Sequence, residues 1–323
     1  MRWFKKVILF FIVISFIFQF QFISSAVQNE QYIQKVRKQG DDVIISFRYK
    51  KDTDMHLIIG KCGINQMVNF KKIYLEKNNG TKVNSTIGKK SQLFMESCTD
   101  WLGPYVVKSL VYDDGGTYSF TGGWHSIVRD KKVYKTGKTI SFDVKSGRQI
   151  IKENTETSGP VIINITNLIQ GFNTNKTGRN VIREEIQIGA DKGRFTIKAK
   201  TTALEDVFLM KYYGLQTQNY SWQGGIQYMA GPINSTKEYS ESGPRMNTGI
   251  INSFSLWSKD KKLRLLCSLS DKTGLGTFEN IPQHMPTVFT ESYGKTYFNL
   301  INGDGKFLEK NHSIMWEGKY EFL

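Results

Sequence analysis

The chain has 323 residues, with 44 Lys+Arg against 29 Asp+Glu for a formal net charge of +15, and is 39% hydrophobic and 13% aromatic. That much apolar material excludes a disordered polymer, and a lone long apolar run, at the N-terminus, excludes a multipass membrane protein. Three cysteines are too few for a disulfide scaffold or a multi-zinc protein. In chain order, residues 1–26 read as a secretory signal peptide. Arg2, Lys5 and Lys6 form its basic start, Val7 to Phe18 its apolar stretch, and Ser24-Ser25-Ala26 the small residues before cleavage. Gln19 and Gln21 leave the apolar run short for a span, so no stable membrane insertion is expected once the signal is cleaved. The expected location is extracellular. Residues 27–323 then form one large β-sandwich domain.

A short helix is expected at about 29–37, stopped by Gly40. Beyond it, short runs rich in Ile, Val, Tyr and Phe alternate with Gly, Asn, Asp and Lys turns, the pattern of an all-β protein. Strands are expected at Asp42 to Tyr49, Met55 to Ile59, Asn69 to Leu75, Tyr105 to Tyr112, Thr139 to Val144, Val161 to Ile169 and Val181 to Ile188. Further strands follow at Arg194 to Ala203, Val207 to Tyr213, Ile251 to Trp257, Leu263 to Leu269, Thr296 to Leu300 and Tyr320 to Leu323. Arg194 to Ala203 is the clearest, with Phe195, Ile197 and Ala199 on one face and Thr196, Lys198 and Lys200 on the other. Gly231 to Thr248 is the least regular stretch and reads as a long functional loop that carries Arg245, a substrate-binding candidate. A single antiparallel sandwich accounts for this pattern; two smaller ones divided near Glu153 to Gly159 are the alternative.

Ala203-Leu204-Glu205-Asp206-Val207, Tyr212-Tyr213-Gly214 and the run Thr290 to Phe298, with the strand count and length, resemble the galactose-mutarotase-like supersandwich of sugar epimerases and polysaccharide-lyase domains. The resemblance is one of pattern over most of the mature chain. It implies an all-β supersandwich. The epimerase constellation of two spaced histidines and a late Glu is missing, so mutarotase catalysis is not carried over.

Several chemistries are excluded by absence: there is no Gly-x-Ser-x-Gly elbow, Gly-rich phosphate loop, His-Glu-x-x-His or Cys-x-x-Cys motif. No metal and no cofactor is expected. Asp52-Thr53-Asp54 reads as a turn rather than a calcium loop. Cys62 and Cys98 pair in an oxidising compartment, or all three cysteines are reduced and buried; both arrangements stay open, and none is expected to be a nucleophile.

Gly122-Gly123-Trp124-His125 is the most suggestive segment. Gly123 lets the backbone approach a ligand, Trp124 offers a face for stacking on a sugar ring, and His125 suits general acid–base work near neutral pH. The structural alternative is a turn with a core Trp and a solvated His. Trp222-Gln223-Gly224-Gly225 repeats the theme, and Tyr213 lies among the aromatics near expected loops. In Glu291-Ser292-Tyr293-Gly294-Lys295, Lys295 lowers the Tyr293 phenol pKa or neutralises a substrate carboxylate, and Glu291 is an alternative acid. The alternative here is an edge strand of alternating Tyr and Lys.

Glu184 shares the parity of Ile182, Ile186 and Ile188, which puts a carboxyl on the apolar face unless a bulge turns it outward; the bulge is the favoured reading. Asp113-Asp114 reads as a turn.

These features lead to an exported enzyme that cleaves a polysaccharide, an acidic one given the basic chain, by β-elimination. Its base and acid would be His125 and Tyr293 in either order. A glycoside hydrolase using a carboxylate pair and a non-catalytic glycan- or wall-binding module are the alternatives, with a secreted inhibitor or toxin component as a third. The dispersed charge and the exported context disfavour nucleic acid as a partner.

Overall fold

The structure is a computed structural model, and it describes residues 33–229, 231–234, 250–291 and 293–323. The expected signal peptide 1–26, and Arg245 with the loop around it, lie outside the described residues. Among those described there is no α-helix, only a 3-10 turn at Gly274–Thr277. No helix among them is long and apolar enough to cross a membrane. Where the helix at about 29–37 was expected, Lys35–Gln39 is a strand. It forms a tight hairpin with Asp42–Lys50 on one side and pairs with the distant Glu156–Ser158 on the other, and this cross-strand pairing overrides the local helical spacing.

Two antiparallel sheets carry the architecture. The first runs Glu156–Ser158, Lys35–Gln39, Asp42–Lys50, Thr53–Cys62, Met67–Lys77 and Ser91–Met95. The second has ten strands, in the order Gln149–Ile150, Gly137–Ser146, Val161–Gln170, Asn180–Asp191, Arg194–Ala203, Ser313–Phe322, Arg264–Leu269, Ser253–Trp257, Gly225–Tyr228 and Ile233–Asn234. Their inner faces meet in one apolar cluster. Phe47 and Phe70 of the first sheet touch Phe195 of the second at 6.1 and 5.8 Å between ring centroids, and Phe70 reaches Tyr320 at 5.2 Å. Each such fully buried side chain contributes about 1.5–3 kcal/mol by removal from water. The expected alternation of Arg194–Ala203 holds: Phe195, Ile197 and Ala199 are buried, and Thr196, Lys198 and Lys200 are exposed.

Glu184 does not sit on a bulge. Asn180–Asp191 pairs regularly with Arg194–Ala203, so the carboxyl points into the core at 3% exposure. The Tyr105 hydroxyl donates to its Oε1 at 2.6 Å and Asn167 Nδ2 to its Oε2 at 2.8 Å, which supplies the partners a buried carboxyl requires. Burial nevertheless raises its pKa above the usual carboxylate value. Asp54, expected in a turn, is a buried strand residue bound to Arg48 Nε at 2.6 Å. All three cysteines are free and buried. Burial pushes the Cys62 thiol up to about 12, the opposite of an activated nucleophile.

Two smaller three-stranded sheets lie at one end. One joins Lys306–Leu308, Val207–Tyr212 and Tyr105–Ser109; the other joins Gln216–Gln218, Lys295–Phe298 and Val288–Glu291. The second carries most of the candidate site.

Candidate functional site

Val288–Glu291 and Lys295–Phe298 form an antiparallel hairpin in which Phe289 lies opposite Tyr297 and Glu291 opposite Lys295. The period-2 alternation of a strand puts these four residues on one face. Phe289 and Tyr297 stack at 5.0 Å, and Tyr213 packs against both at 5.4 and 4.9 Å. Phe120 continues this wall, 5.7 Å from Tyr213 and 5.1 Å from the His125 ring. At the hairpin tip, Gly294 takes φ +78 and Tyr293 projects with 54% exposure. The Tyr293 and Tyr297 hydroxyls lie 2.8 Å apart.

Beneath this wall is Asp100, which no motif in the sequence marks. Its carboxylate is 1% exposed. Oδ1 accepts the Trp124 amide at 2.7 Å; Oδ2 accepts His125 Nε2 at 3.2 Å and Lys295 Nζ at 3.3 Å. Burial by itself would raise the Asp100 carboxyl. The His125 hydrogen bond, the charges of Lys295 and His125, and the Trp124 amide outweigh it and hold the carboxyl below its ordinary value. With Asp100 ionised, His125 Nε2 carries the hydrogen it donates, so a lone pair for base chemistry can sit only on Nδ1. The backbone is built for this contact. Asp100 itself is at φ 54, and Gly123 at φ +51. A Cβ on Gly123 would lie 2.3 Å from Asp100 Oδ1.

The structure therefore brings His125, Lys295, Glu291, Tyr293, Tyr213, Gly123 and Trp124 into one cluster. Several expected roles change. The Tyr293 phenol is not lowered by Lys295. Lys295 is bound to Asp100, and burial raises the Tyr293 pKa above its usual value. Trp222 is no stacking platform: it is fully buried, with Phe94 at 5.1 Å and Phe322 at 6.4 Å. The exposed aromatic of its loop is Tyr220, whose hydroxyl donates to the Tyr293 carbonyl at 2.6 Å. Trp124 is half-buried, its ring on Gly63, where a Cβ would approach to 2.7 Å. Among the described residues no group of three or more His, Cys, Asp or Glu is arranged to hold a metal ion.

Asp113 and Asp114 lie in an irregular stretch rather than an assigned turn, with Asp113 Oδ1 accepting the Gly115 amide at 2.8 Å and Asp114 Oδ2 the distant Lys176 amide at 2.6 Å.

No protein-family model and no curated protein matches the chain. Solved structures do match. The galactosidase domain of an alpha-galactosidase–sucrose kinase shares 9% identity at a TM-score of 0.38, covering 87% of this chain and 40% of that one. The chain thus spans about two fifths of that protein's length. A galactose mutarotase-like protein from Clostridium acetobutylicum shares 10% identity, TM-score 0.36, over 87% of this chain and 95% of that one. Galactose 1-epimerase from Lactobacillus acidophilus shares 7% identity, TM-score 0.36, over 87% and 94%. The galactose-mutarotase-like group that the sequence pattern resembles is among the structures to which the chain is similar.

Proposed function

We propose that the chain is an exported enzyme that cleaves an acidic polysaccharide by β-elimination at the His125 site. The observation that carries this reading is a histidine and a lysine held on one buried, ionised carboxylate beneath a pair of protonated phenols. In this reading the order of base and acid, open in the sequence, follows from the protonation states. Tyr293, with its pKa raised, keeps its proton at neutral pH and acts as the acid. His125 is the base. Its Nδ1 takes the proton from the ring carbon next to the uronate carboxylate. A carbon–carbon double bond forms, the bond to the glycosidic oxygen breaks, and that oxygen takes the Tyr293 proton, with Tyr297 hydrogen-bonded behind it. Asp100 is a positioning residue that fixes the His125 tautomer. Lys295 places a positive charge beside the carboxylate, where negative charge develops as the proton leaves.

Hydrolysis fits less well. It needs two carboxyl groups flanking the sugar. Glu184 is enclosed in the core, and Asp100 already holds three donors. The aromatic wall alone favours a second reading, a glycan-binding module without catalysis.

Incubation of the purified chain with acidic and neutral polysaccharides tests the proposal by ultraviolet absorbance of unsaturated uronates alongside new reducing ends. Both signals should rise together on an acidic polymer and collapse in His125→Ala while binding persists. Reducing ends without absorbance would indicate hydrolysis. Retention on a glycan with neither signal would leave the binding module.

A further inference from the structure

The site's substrate must be held as well as cleaved, and the chain puts a device for this directly after His125. Ser126–Arg129 and Lys132–Lys135 form a two-stranded hairpin that pairs with no other strand among those described. Its turn, Asp130-Lys131, has φ 50 and 61, the left-handed pair of a tight two-residue turn whose twist matches the flanking strands. Its base is clamped. Asn65 Nδ2 and Thr136 Oγ1 donate to the His125 carbonyl at 2.7 and 2.5 Å, and the Thr136 amide donates to Asn65 Oδ1 at 2.8 Å. Asn65 and Thr136 are both buried. The arm is thus fixed to the same backbone that positions the His125 ring.

Its surface differs from that of the ten-stranded sheet, where exposed Lys198 meets Glu317 at 3.0 Å and Arg183 meets Glu185 at 3.6 Å. Arg129, Lys131, Lys132 and Lys135 form no ion pair among the described residues, and the arm's one carboxylate is Asp130 at the turn. The Arg129 guanidinium lies over the Tyr134 ring at 4.6 Å. Opposite each other, Val128 and Val133 are 67% and 56% exposed. By strand alternation Arg129, Lys132 and Tyr134 share one face of the ribbon, while Val128, Val133 and Lys135 share the other; a guanidinium, an ammonium and an aromatic ring on one face match an extended polyanion with apolar ring faces. From His125 to Arg129 an extended strand covers about 13 Å, so a chain lying along the arm enters the site at its base.

We propose that the hairpin 126–135 is the docking arm for an extended polyuronate chain, feeding it to His125. The identity of the occupant rests on the β-elimination reading; the binding itself does not. The test uses the full chain with polygalacturonate as probe, and measures Kd across a salt series. Wild type should bind and weaken with salt. The variant R129Q/K131Q/K132Q/K135Q should lose about tenfold or more at low salt and most of the salt dependence, since screening acts on exposed charges. Removing the same number of charges elsewhere, in K259Q/K261Q/K262Q/K272Q, should leave Kd within about twofold if the arm, and not overall charge, carries the binding. Near-ultraviolet circular dichroism confirms that each variant is folded.

Equal losses in the two charge variants, or no loss in the arm variant, would overturn the proposal. So would binding to vesicles of anionic phospholipid with none to polygalacturonate. Arm-dependent binding without any cleavage by wild type would instead uphold the arm and remove the elimination reading.

Discussion

Glu184 and Asp100 are two buried carboxyls in opposite situations. Asp100 faces a lysine and a histidine and is held below its ordinary value; Glu184 faces only neutral donors, and burial raises it. For Glu184 the folded state keeps a proton that the unfolded chain releases, so stability falls as pH rises through the unfolded value of about 4.3 toward the higher folded one. Glu184→Gln removes that dependence. An amide also satisfies the same partners, accepting from Asn167 and donating to the Tyr105 oxygen while Tyr105 donates to Thr201 at 2.8 Å. Urea unfolding at pH 4 should barely separate the variant from wild type, and at pH 8 the variant should be the more stable. A wild-type advantage that grows with pH would mean that the ionised carboxylate is the favoured native form.

The two Gly-bearing turns near the site show what an element demands of its backbone. Gly123 combines φ +51 with the close approach of Asp100. A Cβ there brings left-handed strain of about 1–2 kcal/mol and also displaces the carboxylate on which His125 and Lys295 rest. Gly123→Ala should therefore lower the urea midpoint and the proposed activity together, whereas His125→Asn should lower activity with a smaller loss of midpoint. This turn was readable in the sequence because paired glycines beside Trp and His are unusual. Glu291, Tyr293 and Lys295 stood out as reactive types alternating within five positions, but the expected alternative of an edge strand through Tyr293 gave way to a hairpin turn there. Asp100 was not: its partners lie 24 and 195 residues away, and no spacing rule connects them. Exposure was equally hidden, since Trp222 and Tyr220 sit two positions apart in one loop and only the packing of Phe94 and Phe322 decides which of them is covered. The same holds in part for Lys35–Gln39, a hairpin partner of Asp42–Lys50 whose other edge is covered by Glu156–Ser158, more than a hundred residues downstream.

At the scale of the whole molecule, strand identity followed from alternation, but sheet order did not, because alternation says which face is buried and nothing about which neighbour buries it. Ser313–Phe322 illustrates the point. It lies between Arg194–Ala203 and Arg264–Leu269, in the interior of the ten-stranded sheet. Trp316, Tyr320 and Phe322 on this strand reach Tyr212, Trp101 and Phe47. A chain stopped before Ser313 should be expressed without a cooperative thermal transition, and the separate peptide 313–323 added in excess should restore one if the rest of the sheet is preformed. The placement also dictates an order of events. A chain emerging N-terminus first has both halves of its large sheet before it has the strand that joins them, so each half presents an open edge until residues 313–322 arrive. Completion is therefore a late, all-at-once step, in which one strand covers two open edges together.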